Sequence, residues 1–382
     1  MNRRHLSALI GVLLALLATN FVWAAPRRSD RFKVDLEGSR RPILWEYERQ
    51  AQEIDRNGDG LLTQAEFAAT ASRLPGGLST DEDYAINAAY EFAGVRIPYA
   101  DGYPDSAGVE AALRQIVEAH PQRAALRLLG STPEHRSVWA LRLGPTRVGV
   151  SQKIAIISGQ HAREWIGPQV ALASARALLE DPSKADLLER FEVWVLPLAN
   201  PDGYDYSLST EAMWRKNRRG VDLNRNFAAD YRRAADSAES FRDDWGGSDH
   251  PESAQYRGEG PASEPETRLM QSILDLPGMA GVVDVHGFGN KIVLPNAPTR
   301  ASESLYERVS AAMSLALEGD YEVLRYDKLY PITGHSGAYA DLAGFPGITL
   351  EVGKAFQPHP DKIATVSAQA VDGIVAFMRA LP

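Results

Sequence analysis

The chain has no cysteine among its 382 residues. Disulfides, thiolate metal ligands and cysteine-linked lipids are therefore excluded, and stability must come from a large core or from metals. Positive charge is not in excess either. The formal net charge is −9, which offers nothing to attract nucleic acid or an anionic membrane surface. Internal repeats of useful length and low-complexity tracts are also missing. Long apolar runs are scarce. The stretch from Leu6 to Ala18 is 13 residues long, too short to span a bilayer comfortably. Arg3 and Arg4 precede it, and Val22-Trp23-Ala24 follows as a small-residue cleavage pattern. Residues 1–24 thus read as a signal peptide. The expectation is an exported protein, periplasmic or secreted, with no stable membrane anchor. The missing cysteines lean towards a bacterial envelope or bacterial secretion.

What is present is an ordinary globular composition, 44% hydrophobic and 24% charged. Residues 25–97 read as a linker followed by a helical region, and residues 98–382 as a second domain. Within the first part, residues 27–42 are basic and mixed and read as the linker. Ile43, Leu44, Tyr47, Ala51 and Ile54 then fall on one helical face. A 12-residue loop follows, and a short helix with Phe67 and Leu74 stops at Pro75-Gly76-Gly77. From about Tyr99, strands alternate with helices. Strands are expected around residues 138–143, 153–158, 191–198, 282–285 and 348–352, and helices around 109–117, 168–179 and 361–381. Ser263-x-x-Glu266 reads as a capping box opening a helix to Leu274. This alternation predicts an α/β fold, a mostly parallel or mixed sheet covered by helices.

The candidate chemistry sits at strand ends. His161 and Glu164 follow the expected strand ending at Ser158, and their i, i+3 spacing lets both reach one ion. His286 and Glu351 close two further apolar strands, where open α/β sheets place ligands. Ionised groups there are costly unless paired or metal-bound. Two histidines and one carboxylate suit zinc with one open position, where a water could be acidified. Glu351 is then left as a base. Between these strands lies a basic cluster, Trp214-Arg-Lys-Asn-Arg218, followed by Gly220-Val-Asp-Leu-Asn-Arg-Asn-Phe227. Its arginines suit bidentate capture of carboxylates. A zinc site beside a carboxylate clamp describes a C-terminal exopeptidase.

These motifs, with Asn200-Pro-Asp-Gly203, His161-Ala-Arg-Glu-Trp165, Asp284-Val-His286 and Ile348-Thr-Leu-Glu-Val352, resemble the zinc carboxypeptidases of the carboxypeptidase A/B family, in family order over about residues 98–382. The resemblance implies a twisted, mixed eight-stranded sheet flanked by helices, and peptide or protein C-termini as partners. It implies one catalytic zinc on His161, Glu164 and His286. It makes Glu351 general base and then general acid, and gives Arg218 the oxyanion. Asn224 and Arg225 would hold the terminal carboxylate, and Arg163 would touch substrate further from its C-terminus. Tyr330 matches the family's mobile tyrosine. Gly337 matches the residue at the pocket floor, where an acidic side chain selects Lys or Arg and an apolar one selects apolar residues. Glycine there predicts a deep, neutral pocket for large apolar or aromatic side chains, and the alternative is a cationic pocket using Arg325 or His335. Two departures stand out. Gly287-Phe288 replaces Ser-Tyr after the third ligand, and the segment from Tyr339 to Glu351 is one residue shorter than in pancreatic members.

Asp55-Arg-Asn57-Gly-Asp59-Gly60-Leu61-Leu62-Thr63-Gln-Ala-Glu66 fits an EF-hand calcium loop. Asp55, Asn57, Asp59 and Glu66 would supply side-chain oxygens and Leu61 its carbonyl, for one structural calcium in a helical, EF-hand-like appendage. No second loop follows, so a lone hand must pack on something else. The sequence therefore supports a zinc metallocarboxypeptidase, with two alternatives. One is an envelope amidase or peptidase acting on peptidoglycan peptides. The other is a calcium-binding protein with an inactive peptidase fold.

Overall fold

The computed structural model describes residues 28–36, 39–44, 57–63, 97, 99–144, 152–229, 246–296, 300–329 and 332–382. Near the N-terminus, strands β1 (Arg28–Leu36), β2 (Ser39–Leu44) and β3 (Leu61–Leu62) form a small sheet of order β2-β1-β3. β1 and β2 pair antiparallel, and β3 joins β1 in parallel, with Leu61 opposite Lys33. Residues 28–36 and 39–44, expected as linker and helix, are therefore strand. Phe32, Val34 and Leu36 alternate with Lys33 and Asp35, a period-two pattern that favours a strand despite the basic composition. Ile43 and Leu44 end β2 instead of opening a helix. The rest of that expected helix, and the one with Phe67 and Leu74, lie outside the described residues.

The main sheet is built from β4 (Ala124–Ser131), β5 (Ser137–Leu143), β6 (Gln152–Ser158), β7 (Phe191–Leu196), β8 (Met279–His286), β9 (Lys291–Leu294), β10 (Glu322–Arg325) and β11 (Gly347–Glu351). Its order is β10-β9-β11-β8-β6-β7-β5-β4. The central strands β11, β8, β6 and β7 run parallel, while β9 pairs antiparallel with β11, and β5 with both β7 and β4. The described helices are α1 (Ser106–Ala119), α2 (Ile166–Glu180), α3 (Ala185–Arg190), α4 (Pro201–Ser209), α5 (Pro265–Leu274), α6 (Glu303–Ala316), α7 (Tyr326–Leu329), α8 (Ser336–Ala343) and α9 (Pro360–Ala380).

The pleat sorts the core into two layers. On β6, Ile154 and Ile156 face a cluster shared with α1, α2, α3, α6 and α9. Ala155 and Ile157 face the other layer, with Met270, Ile273 and Leu274 of α5 and Ala340 of α8. Both faces are covered, so the central strands are near-continuous apolar runs. Packing is close. A Cβ on Gly281 of β8 would stand 2.7 Å from the Phe377 ring of α9, so glycine there lets the aromatic ring approach the sheet closely. The expected capping box does not form. α5 starts at Pro265 with Glu264 as N-cap and no side-chain cap bond. Proline at the first turn has no N–H to satisfy and a helical φ already set, and Ser263 Oγ instead donates to Glu264.

β6, β8 and β11 are neighbours and parallel, so their carboxyl ends open on one edge. Glu351 closes β11 directly opposite His286 of β8, and Ser158 closes β6 opposite Val285. The fold thereby gathers three sequence-distant strand ends at one place.

Candidate active site

The turn after β6 carries the first pair of ligands. Gly159 turns the chain at φ +67°, and a Cβ there would crowd Leu198 and Pro197 O at about 3 Å. The turn is pinned from both sides: Ala162 N donates to Arg215 O and Trp165 N to Phe356 O. His161 and Glu164 are thus fixed just before α2. On β8, residues 282, 284 and 286 share the face opposite Val283 and Val285, which aims His286 at the same point.

His161, Glu164 and His286 converge there, all three buried, with their ligand atoms within 4.8 Å of one another. His161 Nδ1 lies 2.7 Å from Glu164 Oε1, and His286 Nδ1 lies 2.9 Å from Glu164 Oε2. The two imidazole Nδ1 atoms are 3.0 Å apart. Two ring nitrogens facing each other and one carboxylate are mutually satisfied by a cation between them, and two histidines with a carboxylate suit zinc with an open position. Burial works against ionising Glu164, but the two imidazoles outweigh it and hold its carboxyl well below the usual range. Burial likewise opposes charge on His286, and the Asp284 and Glu164 carboxylates raise its pKa well above normal.

A second layer holds the first. His161 Nε2 sits 3.1 Å from Asp222 Oδ1, and Arg215 Nε donates to Asp222 Oδ2 at 2.9 Å. Burial would push the Asp222 carboxyl up, but Arg215, Arg225 and His161 together hold it well below its usual value. Arg215 Nη1 also stands 3.9 Å from Glu164 Oε1. Asn224 Nδ2 is 3.3 Å from His286 Nε2, and Asn224 Oδ1 accepts from Ser336 N. Arg225 donates through Nη1 to Asn224 O. Gly334 makes this close approach possible: at φ +66° it lies so near that a Cβ would collide with Arg225 O. Glu351 keeps partial exposure. Burial pushes its carboxyl up to about 7, with Glu164 adding and His286 and Arg215 opposing.

The structure corrects Arg218. Its guanidinium lies 3.6 Å over the Tyr206 ring and pairs with Glu134 at 3.2 Å, away from the histidines. The aromatic platform and the carboxylate hold it on the outer side of the loop, while Arg215 turns inward. The signal for Arg215 is Asp222 seven residues on, a buried acid that needs a cationic partner. Sequence reasoning also missed Asp222 and Asp284. The Arg163 guanidinium lies 4.1 Å over the Phe356 ring, in a cluster with Phe288 and Met213. Tyr330 lies outside the described residues.

Gly337 is corrected in part. It is buried at the start of α8, and the His335 imidazole already fills the space beside it, 3.2 Å from where a Cβ would stand. That ring packs against the Tyr326 ring, centroids 4.1 Å apart and planes tilted by 54°, and accepts from Ala338 N. Burial, then Arg225 and His286, depress the His335 pKa to about 3, so the ring is uncharged at neutral pH. Arg325 points elsewhere, donating to Pro295 O and Asn296 O and pairing with Glu303. Of the calcium-loop residues, Asn57, Asp59 and the backbone of Leu61 are described. Gly58 and Gly60 have φ of +72° and +77°, and Asp59 N donates to Asn57 Oδ1. Asp55 and Glu66 lie outside the described residues.

A family model described as zinc carboxypeptidase matches residues 109–373. Carboxypeptidase B of Helicoverpa zea is 35% identical over 210 residues, 53% of this chain and 48% of that protein. Carboxypeptidase O of Bos taurus is 31% identical over 256 residues, 61% of this chain and 65% of that protein. The matches thus span less than two thirds of these relatives' lengths. Among solved structures, bovine thrombin-activatable fibrinolysis inhibitor in complex with tick carboxypeptidase inhibitor is similar with a TM-score of 0.62 at 25% identity, covering 74% of this chain and 98% of that one. Carboxypeptidase A of Helicoverpa armigera shares the fold with a TM-score of 0.66 at 23% identity, over 90% and 82% of the two chains.

The loop carrying Arg215 rests on a buried acidic pair. Asn217 donates to Glu264 at 2.8 Å and lies within 3.5 Å of Glu266, while its Oδ1 accepts from Arg219 N and Val221 N. Burial, with help from Glu264, pushes the Glu266 carboxyl up to about 7. The folded state therefore keeps a proton that the unfolded chain loses near pH 4.5, and stability falls as pH rises from there through 7. Glu266→Gln removes that loss. Its stability relative to wild type is expected to climb with pH over this window by about 1–3 kcal/mol and then level off. Urea unfolding at pH 5, 6, 7 and 8 checks it, and a pH-independent difference would contradict the assignment.

Proposed function

Because the chain belongs to the zinc carboxypeptidase family, we propose that it hydrolyses the C-terminal peptide bond of peptides or proteins and releases single residues. The observation that carries this reading is the convergence of His161, Glu164 and His286 beside Glu351 at the open ends of three parallel strands. These three residues would hold the zinc, which when bound supplies Lewis acidity at the scissile carbonyl. Glu351 takes a proton from the attacking water and passes it to the departing amine, so that the C–O bond forms and the C–N bond breaks with charge balanced. Arg215, between Asp222 and Glu164, supplies the guanidinium that stabilises the developing oxyanion, the role that the resemblance gave to Arg218. Asn224 and Arg225 fix the substrate's terminal carboxylate, Tyr330 is a further substrate-binding residue by the family resemblance, and Arg163 contacts residues further upstream.

The specificity pocket in this reading is neutral. Gly337 and the uncharged His335 ring form one wall, and the apolar cluster Val293, Tyr326 and Ile332 lies beside it. It favours apolar or aromatic C-terminal residues, with His335 setting the depth that glycine alone would leave open. Arg325, turned away, gives no support to an acidic preference. Residues 1–24 direct export. Asp55, Asn57, Asp59, Leu61 and Glu66 bind one structural calcium, and the strand β3 that includes Leu61 is completed by β1 of the same chain, in place of a second hand.

Residue release from blocked dipeptides ending in Phe, Leu, Lys and Glu tests the function. Chelation is expected to abolish it and zinc to restore it, and activity in metal-free protein would sink it. A base must be ionised, so kcat/KM is expected to fall as pH drops below about 7, or lower once a cation stabilises the carboxylate. Glu351→Gln should lose at least ~100-fold in turnover and this acid limb with it. Arg215→Ala should lose ~100-fold in kcat, the scale of a lost oxyanion donor, whereas Arg218→Ala should change it only a few-fold. The reverse order would restore Arg218 to the site.

For calcium, thermal melting is the readout. Added calcium should raise the midpoint by linkage to the folded state, and Glu66→Ala should erase the increment while leaving zinc content intact. Equal melting of both proteins in calcium would count against the loop.

A further inference from the structure

Asp284 has no role in the scheme above, and its position is expensive. It is 1% exposed near the carboxyl end of the central strand β8, where a carboxyl group needs partners. It finds them on three separate segments. Gln160 Nε2, next to the first histidine in the turn after β6, donates to Asp284 Oδ2 at 2.6 Å. Ser336 Oγ, at the first residue of α8, also donates to Oδ2. His286 Nε2 stands 3.0 Å from the same oxygen. Asp284 and His286 lie two apart on β8, so the pleat puts both on one face.

The tautomer decides what the last contact means. When Nδ1 of His286 faces a cation, it cannot carry the ring proton, so the proton sits on Nε2. An Nε2–H needs an acceptor. Asn224 Nδ2, 3.3 Å away, is a donor and cannot serve. Asp284 Oδ2 can. The other zinc histidine is arranged alike, with His161 Nε2 against Asp222. Each histidine thus has its own carboxylate, Asp222 for His161 and Asp284 for His286.

We infer that Asp284 is a positioning residue for the metal. It fixes the tautomer and ring orientation of His286, and through Gln160 and Ser336 it locks the His161 turn and α8 to β8. It also leaves the Asn224 amide available to substrate. Asp284 makes no contact with substrate in this assignment.

The inference rests on zinc at the proposed site, and the two can fail separately. Zinc affinity of the full chain, measured by competition with a chromophoric chelator, is the primary readout. Asp284→Asn and Asp284→Ser should each weaken zinc binding by ~10–100-fold, the usual scale for such outer partners. The metal-free variants should melt close to metal-free wild type, and the visible spectrum of the cobalt-substituted protein should shift, because the ligand field changes when the ring turns. Wild type that binds no zinc sinks the functional reading itself. Wild type that binds zinc, with folded Asp284 variants binding within about twofold of it, overturns only this inference. Loss of fold in both variants even under saturating zinc would also overturn it, assigning Asp284 to the core.

Discussion

A carboxylate buried between two imidazoles persists only when the three share a cation or a proton, and Glu164 stands in that position between His161 and His286. Much of the surrounding architecture follows from making that arrangement tolerable. β6, β8 and β11 must be parallel neighbours, so that their polar ends meet while their apolar bodies fill the core. Charge then alternates outward: Glu164 and the histidines, then Asp222 and Asp284, then Arg215 and Arg225. Each ion is buried beside an opposite one, which is the condition under which buried charge is retained. Asn217 and the Glu264–Glu266 pair extend the same logic one layer further, holding the loop that delivers Arg215.

The centre of this arrangement was legible in the sequence because each ligand ends or follows a short apolar strand. A histidine or glutamate closing such a strand has no ordinary structural use. The edges of the sheet were not legible. β4 and β10 are its outermost strands, and Leu128 and Val323 on them are 57% and 41% exposed. A strand covered on one side carries a weak apolar pattern, and propensity there is overridden by context. The β1–β2 pair was hidden differently: its period-two alternation is present but interrupted by basic residues.

Arg215 and Arg218 show what spacing does not reveal. Both belong to one basic run three residues apart, and composition treats them alike. Their directions are set by partners far along the chain, Asp222 for one and the Tyr206 ring with Glu134 for the other. Gly337 teaches the same point from the opposite side. A missing side chain suggests empty space, but the His335 ring from two residues earlier occupies it. Sequence reports which groups are available, and packing decides which of them face the site.

The central claim is that His161, Glu164 and His286 form one zinc site. Equilibrium dialysis of metal-free protein against zinc, on wild type and on His161→Ala, Glu164→Gln and His286→Ala, tests it most directly. The expected result is about one tightly held zinc per wild-type chain, as for a site of this donor set, and sharply weakened binding in all three variants. Undiminished zinc binding by His286→Ala would contradict it, since the site would then lie elsewhere.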